Sequence, residues 1–281
     1  MRWDMGQRSR NVEDRRGMGG PVVAGGGVVA VLLIAGIVYL MGGDPTEILQ
    51  SVTGPDQVQS SAPSGVQPGP RPDDRDADFS KAVLGQTEQV WGEIFRQHGV
   101  TYSPPTLVLY DGLAETGCGL GQSAAGPFYC PEDRKLYLDL SFFREMDERM
   151  GAKGDFAKAY VIAHEVGHHI QTLQGGMPAN AEAERGASGG LVRVELQADC
   201  YAGVWASHAK TQLGSVEAGD IEAAQAAAAA VGDDRLQKQG QGYVEPESFS
   251  HGASAQRAAW FNRGLERGRM SDCDTFHAAE L

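Results

Sequence analysis

An uncharged apolar run over residues 21–43 restricts the fold of this chain more than any other feature of its sequence. The run reads PVVAGGGVVAVLLIAGIVYLMGG. As a helix it would be about 34 Å long, which is enough to cross a hydrocarbon core of about 30 Å. Its glycines disfavour a soluble helix but are common in membrane helices. The run therefore predicts a transmembrane helix.

The basic residues that lie near this run are all on its N-terminal side. Residues 1–20 contain five arginines, whereas the next basic residue after the run is Arg71. The positive-inside rule then predicts a cytoplasmic tail over residues 1–20, and a single-pass protein of the cell membrane whose later residues lie outside the cytoplasm. A cleaved signal peptide is the alternative. Against it, the run is longer than a typical signal core and no small-residue cleavage site follows.

Residues 44–77 are rich in Pro, Ser, Gln and Gly and hold few large apolar side chains. Such a segment cannot bury enough surface to order itself, so it is predicted to be a flexible linker. The folded domain is then expected over residues 78–281. Its pattern is mostly helical, with short strands at TLVLY and KLYLDLSFF. These elements predict an α+β fold in which helices dominate a small antiparallel sheet.

The charge of the chain bears on its partners. The 281 residues carry a net charge of −13, and no stretch after the apolar run concentrates Lys or Arg. A surface that neutralises phosphates is therefore not expected, and nucleic acid is excluded as a partner.

Four cysteines suggest two disulfides if the domain lies outside the cytoplasm. Three pairings are possible. We favour Cys118–Cys130 with Cys200–Cys273, because the first pair brackets a short Gly-rich loop that a bridge would stiffen.

A metal-binding motif lies in the predicted helix DFAKAYVIAHEVGHHIQTLQGG. His164 and His168 are four residues apart, so both imidazoles project from one face of the helix and can hold one ion. Glu165 is placed to act as the general base toward a metal-bound water. The neighbouring His169 points elsewhere on the helix and is expected to be a packing or surface residue.

A second apolar helix, LVRVELQADCYAGVWASHA, carries two acids one turn apart. A catalytic zinc site has three protein ligands and an open position, so Glu195 is the expected third ligand. Asp199 is expected to accept the free N–H of a ligand histidine and so fix its orientation. The alternative is that Glu195 is an exposed acid that pairs with Arg193.

At these residues the chain resembles the putative neutral zinc metallopeptidase family, a group of bacterial membrane-anchored proteins. The resemblance covers most of the sequence, through the Arg-rich start with its apolar run and the blocks GPFYCPEDRKLYLDLSFF, GDFAKAYVIAHEVGHHIQ, VELQADCYAGVW, VGDDRLQ and SFSHGASAQRAAWF. It implies a zinc-dependent peptidase with one Zn²⁺.

The chain is also more distantly similar to the HtpX-like and CAAX-processing proteases, which are gluzincins. That similarity implies a zincin-type domain in which His251 stabilises the oxyanion and Arg257 orients it or binds the substrate backbone. The alternative is that His251 is a loop histidine before a capped helix.

These features predict a membrane-anchored endopeptidase that hydrolyses a protein or peptide substrate. The substrate is expected to add as a strand at a sheet edge near LYLDL. The rival hypothesis is a catalytically silent, zinc-stabilised scaffold or assembly factor at the membrane, although a structural site has no use for a base such as Glu165 beside its ligand.

Overall fold

A computed structural model describes residues 1–4, 6–17, 74–123, 126–176 and 184–281. The chain divides into two compact units, Met1–Asp14 with Pro72–Leu281, and Arg15–Arg71. The predicted transmembrane helix over residues 21–43 and most of the predicted linker lie outside the described residues. None of the helices in the described ranges is long and apolar enough to cross a membrane.

Six short strands form two sheets in the first unit: β1 (Val12–Asp14), β2 (Thr106–Tyr110), β3 (Leu113–Thr116), β4 (Gly119–Gln122), β5 (Phe128–Cys130) and β6 (Lys135–Asp139). The larger sheet has the order β1-β2-β6-β5, and β3 pairs with β4 in a separate hairpin. Strand β2 is parallel to both β1 and β6, whereas β5 is antiparallel to β6.

The prediction of an antiparallel sheet is therefore wrong for its larger part. The connection from β2 to β6 contains β3, β4 and β5, and it returns the chain so that β6 runs in the direction of β2. In the larger sheet only β5 and β6 form an antiparallel pair. The turn that joins them contains Arg134 with a φ of 56°. The segment KLYLDLSFF, predicted to be one strand, is a strand over Lys135–Asp139, and a helix begins at Ser141.

Helices form most of the unit: α1 (Arg75–Gln97), α2 (Ser141–Glu145), α3 (Asp155–Leu173), α4 (Gly190–His208), α5 (Asp220–Ala230), α6 (Asp233–Gln241) and α7 (Ser254–Arg267). Their apolar faces meet in one core, in which Trp91, Phe156 and Trp205 are fully buried. The fold is thus α+β and mostly helical with a small sheet, as the sequence pattern predicts. Helix α1 begins at Arg75, slightly before the predicted start of the domain.

The glycines of α4 and α7 bring these two helices into backbone contact. A Cβ atom at Gly203 would overlap the carbonyl of Phe261, and one at Gly264 would overlap the carbonyl of Cys200. Any larger residue would force the helices apart, because packed interiors leave no room for an added methyl group. Helix α7 is therefore fixed closely beside α4.

The N-terminal segment Met1–Asp14 belongs to the same unit as residues 72–281. Besides the pairing of β1 with β2, the Trp3 ring packs edge-on against Phe79 and its Nε1–H donates to Asp155 at 2.9 Å. Arg8 forms a two-pronged ion pair with Asp78.

The predicted cytoplasmic tail over residues 1–20 therefore includes residues that pack on the folded unit, and its compartment stays a prediction. Paired strands must lie on the same side of a membrane, so a single crossing between β1 and β2 cannot leave one in the cytoplasm and the other outside. The five arginines suggested a tail because sequence composition does not show that Arg8 has a partner in α1.

Both predicted disulfides are confirmed. Cys118 is bonded to Cys130 and Cys200 to Cys273. The first bridge joins the β3–β4 turn to the end of β5, and the second joins α4 to the C-terminal segment.

Candidate metal centre

Helices α3 and α4 lie close together at the metal motif because Gly167, one of the three residues between its histidines, has no side chain. A Cβ atom at Gly167 would lie 2.8 Å from the carbonyl oxygen of Ala198. One turn of α3 separates His164 from His168, and their ring centroids are 4.8 Å apart. The close approach of α4 places Glu195 opposite both rings.

The structure brings His164, His168 and Glu195 together as one possible metal-binding cluster. One ligand atom from each residue lies within 4.8 Å of the others. The Glu195 carboxylate is 3.2 Å from His164 Nε2 and 3.5 Å from His168 Nε2. Two imidazole nitrogens and a carboxylate oxygen are a donor set typical of three-ligand catalytic zinc sites.

The other nitrogen of His164 is held by a buried polar network. Its Nδ1 lies 2.8 Å from Asp199 Oδ1. Asp199 has no exposed surface and also accepts hydrogen bonds from the Tyr160 hydroxyl and from Arg257 Nε, the latter at 2.8 Å. Because Asp199 accepts a hydrogen bond from Nδ1–H of His164, the ring presents its Nε2 to the cluster.

His168 is held by a different group. Its Nδ1 lies 2.9 Å from the side-chain oxygen of Gln171, whose amide donates to the carbonyl of Val194 at 2.8 Å. Gln171 thus ties the second histidine to α4, the helix that carries Glu195. Both imidazoles are oriented by groups that leave Nε2 for the metal.

Burial and the charges within the cluster shift the pKa values of its members. Burial opposes the imidazolium of His164, but Asp199 and Glu195 outweigh it and raise the pKa of His164 to about 10. Burial also lowers the pKa of His168. Burial opposes ionisation of both acids, yet the histidines and Arg257 hold the pKa of Glu195 and the pKa of Asp199 below their usual values. The acids are therefore anionic at neutral pH.

Glu165 lies beside the cluster, in the wall of a cleft of about 810 Å³. Glu165 is 8% exposed. Its burial, together with the nearby Glu195, raises its pKa to about 7. No side chain in the described ranges hydrogen-bonds its carboxylate. A carboxylate with a pKa near 7 and no fixed partner is suited to take up and release a proton.

The cleft is bordered by both sheet and helices. Apolar side chains form much of its wall, among them Phe128, Phe142, Val161, Val194 and Leu236. An apolar groove with a few convergent polar groups is typical of a ligand-binding site.

The structure places His251 and Arg257 differently from one another. His251 lines the cleft with Glu165, and more than half of its side chain is exposed. Arg257 is 3% exposed and donates to both oxygens of Asp199 and to the Tyr160 hydroxyl. Arg257 also lines the cleft, but its guanidinium is bonded to Asp199, and its expected role toward the oxyanion or the substrate backbone stays a prediction.

His169 lies outside the cluster, as expected. Its Nε2 donates to the carbonyl of Ser103 at 2.7 Å, and its Nδ1 lies 3.0 Å from the hydroxyl of Tyr129 in β5. The residue joins α3 to the sheet.

Sequence reasoning missed three residues that hold the site together. Tyr160 and Gln171 lie one turn from His164 and His168 on α3, so helical spacing could have found them. Asp233, at the start of α6, hydrogen-bonds His251, and no local spacing connects these two residues.

Comparisons with known proteins agree with this site. The family model described as putative neutral zinc metallopeptidase matches residues 1–276. The uncharacterized protein YpfJ of Escherichia coli strain K12 is 45% identical over 290 aligned residues, which cover 98% of this chain and 99% of YpfJ. The uncharacterized protein Rv2575 of Mycobacterium tuberculosis strain H37Rv is 47% identical over 190 residues, covering 64% of this chain and 65% of Rv2575. No solved structure matches. The chain belongs to the putative neutral zinc metallopeptidase family.

Proposed function

We propose that this protein is a zinc-dependent endopeptidase. The observation that carries the proposal is the position of Glu165, a buried carboxylate with no hydrogen-bond partner among the described residues, beside a cluster of two histidines and a glutamate in an apolar cleft. Family membership supports a zinc peptidase in general. The arrangement of this chain's own residues supports the specific roles that follow.

The residues present fit a zinc ion. His164, His168 and Glu195 would hold it, and both histidines have the Nδ1 partners that a ligand histidine needs. When bound, zinc would polarise the substrate carbonyl and lower the pKa of a bound water to about 7.

Glu165 is proposed to be the general base. With a pKa near 7 its carboxylate can accept a proton from the attacking water and return it to the leaving amine. The mostly apolar walls of the cleft lower the local dielectric constant and so strengthen the electrostatic interactions of this carboxylate. Glu165 therefore moves the proton while other residues bind the chain to be cut.

The sheet edge that could position a peptide is β5. Strand β6, which contains LYLD, lies between β2 and β5, so the sheet edge near LYLDL is β5. Among the described residues β5 is one of the two edge strands of the larger sheet, and its residues Phe128 and Tyr129 line the cleft. We propose that an extended substrate pairs with the free edge of β5, which would place its scissile bond across the cleft.

The rival hypothesis of a zinc-stabilised scaffold has less support. A structural zinc site normally has four protein ligands, whereas the cluster offers three in the described part of the chain. A scaffold also gains nothing from the buried carboxylate of Glu165, whose ionisation burial disfavours.

The test compares wild type with Glu165→Gln, using Glu145→Gln in the same cleft as the matched control. We expect Glu165→Gln to keep zinc and lose cleavage of a denatured protein, and Glu145→Gln to keep both. Zinc-loaded wild type that cleaves no peptide bond, and in which a chelator lowers only the melting temperature, would favour the scaffold.

We also propose that the enzyme works outside the cytoplasm. The two disulfides support this location, because such bridges persist in oxidising compartments. Attachment to a membrane through residues 21–43 stays a prediction. The pairing of β1 with β2 adds the condition that residues 12–14 share the compartment of the folded unit.

A further inference from the structure

Asp233 is the first residue of α6, and its carboxylate holds the loop that carries His251. One oxygen, Oδ2, accepts the backbone N–H groups of Ser250, His251 and Gly252 at 2.8, 2.7 and 3.0 Å. The other oxygen, Oδ1, lies 3.1 Å from Nδ1 of the His251 ring. The backbone N–H of Asp233 in turn donates to the carbonyl of Gly252 at 2.9 Å. A single carboxylate thus fixes both the backbone and the ring of His251.

The ring of His251 is consequently turned in one direction. Its Nδ1 is occupied by Asp233 and by the hydroxyl of Ser250 at 3.1 Å. Nε2 has no hydrogen-bond partner among the described residues. Since His251 lines the same cleft as Glu165 and the metal cluster, Nε2 is the nitrogen left for a group bound in the cleft.

The charge around the ring favours its donor form. A hydrogen bond to Asp233, and the charge of Glu195, raise the pKa of His251 even though burial and Arg257 oppose this. Asp233 faces the ring from α6, Glu195 from α4 and Arg257 from α7. An imidazolium donates from both nitrogens, so it can bond Asp233 and a substrate oxygen at once.

We infer that Asp233 is a positioning residue that holds His251 with Nε2 directed at the substrate oxygen on which negative charge develops. The inference rests on the proposed peptidase function and deepens it. His251 would touch the substrate, and Asp233 would act only through His251. The pair would supply a hydrogen-bond donor that matters chiefly in the transition state.

A purely structural role for Asp233 is the competing explanation, because three of the four contacts of its carboxylate are to the backbone. The adjacent Asp234 provides a matched control. Its Oδ1 accepts both the backbone N–H and the hydroxyl of Ser254 at 2.7 Å, at the start of α7. Asp234 therefore anchors a neighbouring element from the same helical turn without contacting His251.

The experiment is a double-mutant cycle on the zinc-loaded, full-length protein, with Asp233→Asn, His251→Ala and the double variant. Asparagine retains an oxygen for the backbone N–H groups but lacks the charge that holds the ring. We expect Asp233→Asn to lower kcat by about 10- to 100-fold with little change in KM. In the His251→Ala background the same substitution should lower kcat no further. Asp234→Asn should lower the melting temperature and leave kcat unchanged.

Two results would overturn the inference. One is an equal loss of kcat from Asp233→Asn with and without His251, which would show a structural role. The other is a wild-type kcat in Asp233→Asn.

A readout that needs no turnover separates this inference from the proposed function. The ¹⁵N resonance of His251 Nδ1 should move in Asp233→Asn and stay in place in Asp234→Asn. If wild type cleaves nothing but the resonance moves, the proposed function fails while the positioning of His251 by Asp233 holds. A resonance that stays in place in Asp233→Asn refutes the positioning, whatever the activity.

Discussion

Replacing Asp199 with alanine should damage stability and zinc binding for separate reasons, and the structure allows the two effects to be measured apart. The carboxylate is fully buried and bonded to Arg257, Tyr160 and His164. Asp199→Ala leaves the guanidinium of Arg257 buried without its partner. Breaking a buried pair in this way costs about 3–5 kcal/mol. At roughly 2–4 °C per kcal/mol, the melting temperature should fall by about 6–20 °C.

The double variant Asp199→Ala/Arg257→Met removes both charges. Replacing a buried ion pair by apolar groups is often close to neutral, so most of the lost stability should return. The Tyr160 hydroxyl still lacks its acceptor, which leaves a deficit of about 1–3 kcal/mol. Zinc affinity should not return, because His164 Nδ1 has lost its partner in both variants. We expect affinity about 10- to 100-fold below wild type in each.

Urea unfolding of chelator-treated protein measures the stability without the contribution of bound metal. Zinc affinity is measured separately, by competition with a chromophoric chelator. The reasoning is refuted if the double variant is as unstable as the single one, or if Arg257→Met restores zinc affinity in the Asp199→Ala protein.

Three further predictions concern the ligands, the base and the compartment. Glu195→Ala should lose zinc on dialysis while Glu145→Ala, a control in the same cleft, retains it; equal metal content in the two would exclude Glu195 as the third ligand. Because the role proposed for Glu165 requires its carboxylate form and its pKa is raised to about 7, kcat/KM should fall as the pH decreases through 7, with a lower midpoint once a zinc cation is bound. A profile that is flat from about pH 5 to 8 would contradict this role. A reporter active only outside the cytoplasm should give a signal when fused after Leu281, and a cytoplasmic signal would contradict the proposed location.

The metal cluster could be predicted from the sequence because its information is local. His164 and His168 share a helix face through their spacing, and the three ligand candidates lie on two strongly apolar helices. The short loop between Cys118 and Cys130 likewise favoured the bridge that the structure contains.

The features that were missed depend on contacts between distant segments. Strand β1 has the sequence VED, which has no apolar pattern, and it pairs in parallel with residues far along the chain. Asp233 hydrogen-bonds His251, which lies 18 positions further along the chain, so sequence spacing does not reveal the contact. The ion pair of Arg257 with Asp199 was also missed, because a sequence does not show that Asp199 will be buried beside it. Side-chain chemistry indicated that these groups matter, but only the packing shows what they touch.

The backbone contact between α4 and α7 has a consequence for how the site opens. Helices that meet at Gly203 and Gly264 cannot slide or separate without losing the packing of the central core. Their amide protons should therefore exchange with solvent only through global unfolding, as one cooperative unit. Glu195 and Asp199 both lie on α4, so local fraying does not expose them. A metal ion leaving the folded protein would have to escape through the cleft itself. Its exchange rate would therefore report the accessibility of the cleft rather than local unfolding of the helices.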